Sequence, residues 1–157
     1  MLYHSCMNEF HSDGVQSCDA FELIQALMHA GKFTEMQLDA ALAPTGLSAA
    51  KWNALRHLMA AGGQLPLGQL AGKLSCVKSN ATQLVDRLEA EHLVCRMPDV
   101  EDRRSIRAEI TNEGRQACEL GQQVVQRFEQ ELLEDYSLEE RLALSKLLTR
   151  LSGSELR

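Results

Sequence analysis

The run from Val77 to Leu88 constrains this chain more than any other. Val77, Ala81, Leu84, Val85 and Leu88 fall at the i, i+4, i+7, i+8, i+11 spacing that lines up side chains on one stripe of an α-helix. The opposite face carries Ser79, Thr82, Gln83 and Asp86, and the first turns hold short hydrogen-bonding side chains and one lysine, Lys78. A helix needs that kind of surface to read base edges in a major groove. Just upstream, Leu65-Pro66-Leu67 reads as the start of a short helix, with Pro66 at the first helical position, where its missing N–H costs nothing. Leu67, Leu70, Ala71 and Leu74 point inward, and a tight turn at Ser75-Cys76 leads into the longer helix. The pair is a helix-turn-helix. Generic three-helix packing gives a similar pattern, so the continuation of the chain has to separate the two.

That continuation is a hairpin. Leu93 to Met97 is a short strand that Pro98 stops. Asp99 to Ser105 forms a charged tip. Ile106, Ala108 and Ile110 then alternate with Arg107 and Glu109, giving a return strand with one buried and one wet face. Thr111 is placed to cap a new helix. Arg103 and Arg104 sit side by side on the tip, where arginine can enter a narrow minor groove, the place of most negative potential.

Asp99-Val100-Glu101-Asp102-Arg103-Arg104-Ser105, followed by Ile110-Thr111-Asn112-Glu113-Gly114, resembles the wing signature of the MarR family of transcription regulators. Lys78 to Glu89 is similar to that family's recognition helix, and the two blocks occur in the right order with the right gap. The resemblance covers nearly the whole chain after residue 18. It implies a mainly α fold: a winged helix-turn-helix head with a small β-hairpin wing, and N- and C-terminal helices that form a dimerisation bundle. It also implies that Arg104 enters the minor groove. Asp102 would brace an arginine by a charge-assisted hydrogen bond, since phosphates repel it.

The domain reading follows. Residues 1–17 are polar and poorly periodic and read as a loose arm. Residues 18–43 form an N-terminal dimerisation helix region, with Phe21, Leu23, Ile24, Leu27 and Met28 on one apolar face and Gly31 bending or breaking it. Residues 48–110 form the DNA-binding head, opened by a helix capped by Ser48 in which Trp52 is read as core packing. Residues 111–157 supply two further helices. The first, from Thr111 to about Glu134, carries Ala117, Leu120, Val124, Val125, Phe128 and Leu132; the second, capped by Ser137, carries Leu138, Leu142, Leu147, Leu148 and Leu151. A compact head needs neither for its core, so a second copy of the chain is the economical cover for these apolar faces.

Charge neither supports nor excludes nucleic acid. The net charge is −6, but Lys73 to Arg107 holds seven Lys or Arg against six Asp or Glu, so the acid load lies elsewhere. No run approaches the roughly 18 apolar residues needed to cross a membrane, and Met1 to His11 lacks a signal-peptide pattern, so a cytoplasmic location is expected. No nucleophile elbow, Gly-rich phosphate loop or metal-ligand pair at helical spacing occurs, so neither an enzyme, a cofactor nor a metal is expected. Five widely spaced cysteines do not suggest a disulfide framework.

The expected activity is therefore that of a DNA-binding transcription regulator: a homodimer on a pseudo-palindrome of double-stranded DNA, repressing by default and released by a small molecule. Ser79, Asn80, Thr82 and Gln83 read bases, Lys78 reaches a phosphate and Arg87 contacts the backbone. The resemblance adds a small aromatic effector in a cleft between head and dimer helices, or alternatively an oxidant sensed through cysteine. For the latter, Cys18 at a helix start, with its thiol pKa lowered there, and Cys118 as resolving partner are the candidates. A winged helix that binds protein instead of DNA is the other alternative; it would centre on an apolar patch and would not need Arg103 and Arg104.

Overall fold

A computed structural model describes residues 19–74, 78–99 and 105–152, with only the backbone of Lys78. The arm at 1–17, Cys18, the turn residues Ser75 to Val77 and the wing tip from Val100 to Arg104, with Asp102, Arg103 and Arg104, lie outside the described residues.

Six α-helices and three strands follow in the order α1 (Ala20–Leu42), a 3₁₀ turn (Ala43–Thr45), α2 (Ala49–Ala60), β1 (Gln64–Pro66), α3 (Leu67–Lys73), α4 (Lys78–Ala90), β2 (Val94–Pro98), β3 (Ile106–Ile110), α5 (Asn112–Leu132) and α6 (Leu138–Leu151). The chain divides after Thr34: the beginning of α1 belongs to one unit, and Glu35 onward forms a second. Helix α1 runs through Gly31 without a break. Its exposed apolar side chains include Phe21, Ile24, Met28 and Phe33. None of the helices among the described residues is long and apolar enough to cross a membrane.

Caps fall where short polar side chains permit them. Ser48 Oγ accepts from the Lys51 N–H, Thr111 Oγ1 accepts from the Gly114 N–H, and Ser137 and Glu140 form a reciprocal capping box at the start of α6. Helix α4 ends through His92 in the left-handed conformation (φ 59°), with the Leu93 N–H donating back to the Leu88 carbonyl at 2.9 Å.

The core lies beneath α4 and the sheet. Leu42, Leu55, Leu58, Leu70, Val85 and Leu88 are fully buried, joined by Ala81, Val94, Ala108 and Ile110. Each buried Leu, Ile or Val side chain contributes about 1.5–3 kcal/mol relative to exposure.

Three details differ from the sequence reading. The sheet has three strands, not two, in the order β1-β3-β2, all antiparallel. Leu65-Pro66-Leu67 was expected to open a helix; Gln64–Pro66 pairs instead with β3, Leu65 opposite Ala108, and Pro66 precedes α3 at its N-cap position. Gly62 and Gly63, both with positive φ, turn the chain onto that path, and an edge strand tolerates a proline with no N–H to give. Second, Ile106 is 46% exposed, although Ala108 and Ile110 are buried. Burial fades toward Met97 and Ile106 because the outer end of the hairpin projects beyond the helices that cover its base. Third, α5 packs by Gly114, Cys118, Gly121 and Val125, a stripe of mostly small residues at i, i+4, i+7, i+11. Leu120 and Leu132, on the apolar face expected to seek a second chain, are exposed.

Two glycines make the α5 contact possible. A Cβ on Gly114 would collide with the Leu93 carbonyl oxygen, and one on Gly121 would press into the Trp52 ring.

Candidate nucleic-acid interface

Because Ala81, Val85 and Leu88 are consumed by the core, the other side of α4 is left facing out. Ser79, Asn80, Thr82, Gln83, Asp86 and Arg87 are all exposed there. The helix begins at Lys78, so its first turns carry the short polar side chains that a groove-reading helix needs. Its far end is anchored: Lys51 Nζ, on α2, lies 2.5 and 2.8 Å from the two carboxylate oxygens of Glu91.

The hairpin is tied to this helix through Arg96 on β2. The Arg96 guanidinium pairs with the Asp86 carboxylate, donates to the Thr82 carbonyl at 3.3 Å and lies 3.5 Å from Glu89 Oε2. Asp86 thus pairs with a cation at the side of the helix. Further out, the Asp99 N–H donates to the Ser105 carbonyl at 3.0 Å, closing the base of the tip. The buried Asp99 carboxylate lies 3.2 Å from Arg107 Nε, as an ion pair whose N–H direction misses the acceptor. Both arms of the wing are therefore braced before the tip begins.

A cavity of about 610 Å³ opens behind α4. Leu38, Trp52 and Leu84 give it an apolar wall, and Glu35, Asn53, Asn80, Gln83 and Arg87 give it polar groups. The Arg87 guanidinium makes no hydrogen bond or ion pair among the described residues. Trp52 both packs in the core and lines this cavity; its ring lies 5.5 Å from the Arg56 guanidinium carbon, a cation–π distance. Sequence reasoning missed the cavity, whose residues come from separated segments with no local motif. It also missed Arg96, since one arginine in a strand carries no sequence signal of its partners.

Of the two cysteines expected to sense oxidants, Cys118 is buried in the core, and burial, with Glu119 nearby, raises its thiol pKa. A protonated, covered thiol is a poor nucleophile.

A family model described as MarR family matches residues 47–106, which run from just before α2 to the first residue of β3. A mutant of MarR from E. coli, solved in complex with operator DNA, superposes with a TM-score of 0.77 at 28% identity, covering 85% of this chain and 98% of that one. Residues 47–106 are thus MarR-like in sequence, and the fold around them is that of MarR. Another MarR-family regulator, Sco5413 from Streptomyces coelicolor, gives a TM-score of 0.76 at 25% identity over 87% of this chain and 96% of its own. An organohalide-sensing regulator, RdhR, in a form bound to 2,4-dichlorophenol, shares the fold at 19% identity and a TM-score of 0.80, covering 94% of this chain and 88% of that one. Among curated proteins, the uncharacterised HTH-type transcriptional regulator YsmB of Bacillus subtilis (strain 168) is 32% identical over 92 residues, 57% of this chain. The match spans 61% of that relative's length.

Proposed function

We propose that this chain is a MarR-type regulator: a cytoplasmic, sequence-specific DNA-binding transcription regulator, not an enzyme, that acts as a homodimer. The observation that carries the reading is α4. Its apolar stripe is spent inside the head, so its exposed face is polar, short-chained and flanked by a braced hairpin. Ser79, Asn80, Thr82 and Gln83 read base edges, Lys78 and Arg87 hold phosphates, and Arg103 and Arg104 enter the flanking minor groove, with Asp102 bracing an arginine. The relative solved on operator DNA supports this assignment.

Pairing of two chains follows from the apolar residues that α1, α5 and α6 leave exposed, Leu27, Leu120 and Leu147 among them. Two heads related by a twofold axis then meet half-sites about one helical turn apart on a pseudo-palindrome. Binding there blocks transcription. A small aromatic effector in the 610 Å³ cavity releases the DNA, because Asn80, Gln83 and Arg87 line the cavity as well as the reading helix. The fold shared with a relative bound to 2,4-dichlorophenol supports this reading.

Selection of bound sequences from random duplex DNA tests the reading. Recovery of a palindrome is expected; recovery of nothing overturns it. On the selected duplex, Arg104→Ala should weaken binding by about 1–3 kcal/mol at fixed salt, the range of specific-contact losses. A flat salt dependence would instead favour a protein-binding module.

A further inference from the structure

Asp86 and Glu89 place negative charge on the side of a helix that is read here as facing phosphates. Both are engaged by Arg96. Its guanidinium meets Asp86, Glu89 and the Thr82 carbonyl, and its own backbone N–H donates to Glu89 Oε1 at 3.2 Å. The Arg96 side chain is mostly covered, and its Nε is buried without a partner. An arginine held in this way is turned toward the helix and has its charge met by two carboxylates.

Its place along the hairpin matters. The turn from α4 into β2 is already fixed by the Leu93–Leu88 backbone bond and by Thr111 Oγ1 donating to the His92 carbonyl at 2.8 Å. One residue beyond Arg96, Met97 is nearly half exposed, and the strands leave the head. Arg96 is therefore the outermost tie to α4 among the described residues of β2. We propose that Arg96, held by Asp86 and Glu89, is a positioning residue: it sets the angle between wing and α4, so that tip and helix enter adjacent grooves together, and it does not itself touch DNA. This rests on the DNA-binding reading above.

Asp86→Asn separates the possibilities by sign. Removing a negative charge beside phosphates should tighten binding if Asp86 only repels DNA, or if it only withholds Arg96 from a phosphate. The clamp demands the reverse: a loss of about fivefold to tenfold on the selected duplex at fixed salt, in line with the coupling of residues in one ion-pair network. Asp86→Glu, which restores the carboxylate, should recover part of it. Without DNA, amide exchange in β2 and β3 should quicken in Asp86→Asn while α4 and the unfolding midpoint hold steady. Equal or tighter DNA binding by Asp86→Asn overturns the proposal, as does unchanged exchange in the hairpin. Should the wild-type chain bind no duplex at all, the DNA-binding reading fails, and the exchange measurement decides the clamp by itself.

Discussion

Helices α4 and α6 are nearly the same length, 13 and 14 residues, and both carry an apolar stripe. They end in opposite situations. Helix α4 buries Ala81, Val85 and Leu88 almost completely, whereas α6 buries nothing and leaves Leu138, Leu142, Leu147 and Leu151 at least 60% exposed. A helix whose stripe is covered within its own chain offers its polar side to the outside. One whose stripe is bare offers the stripe itself. Amphipathic pattern alone therefore does not say which face of a helix is the working one; the neighbours decide. Large exposed apolar areas of the second kind mark association surfaces.

The contrast can be broken most violently at the head. Gly114→Ala should destabilise it by about 3 kcal/mol, because the new methyl group meets the Leu93 backbone, which cannot swing aside as a side chain would. Thermal unfolding reads this directly, and a wild-type midpoint would show the close approach to be unimportant. At α6 the expected result is reversed. Leu142→Glu combined with Leu147→Glu should leave the unfolding of the head nearly untouched but weaken self-association by roughly 100-fold or more, at about 1.5–3 kcal/mol per leucine that association would bury. Analytical ultracentrifugation across a dilution series measures it; unaltered association would place the pairing surface elsewhere.

The smallest effect concerns how α6 is held in helical form. The Ser137 backbone N–H and then the Ser137 side chain hold the Glu140 carboxyl below its ordinary 4.5. A depressed carboxyl pKa means that the charged form favours the folded helix. The stabilisation is complete above pH 4.5 and fades as the pH falls through the lowered value. Amide protection at the start of α6, relative to the intrinsic exchange rate at each pH, should therefore fall below pH 4.5, and Glu140→Gln should abolish that fall.

Much of the head was legible in the sequence because its signals are local. Caps at Ser48, Thr111 and Ser137 depend on side chains three residues from the groups they satisfy, and the α4 stripe repeats with the helix turn. The failures share a cause: each depended on a residue distant along the chain. Pro66 looked like a helix start until Leu65 found Ala108, more than forty residues later. The packing face of α5 went unread because its approach to Trp52 depends on the absence of a side chain at Gly121. Ile106 obeyed the alternation of its strand but stands past the end of the cover. At the candidate site, the exposed polar face of α4 could be read from periodicity, while Arg96 and the cavity required the fold to bring α4 together with β2 and α2.

Asn80, Gln83 and Arg87 belong at once to the outer helix and to the wall of the cavity behind it. Replacing any of them reshapes both surfaces in a single step. On the proposed reading, a lineage that alters one of these three side chains retunes two preferences at once, and an engineer who wants to alter the cavity alone would work from lining residues off α4, Leu38 and Trp52 among them.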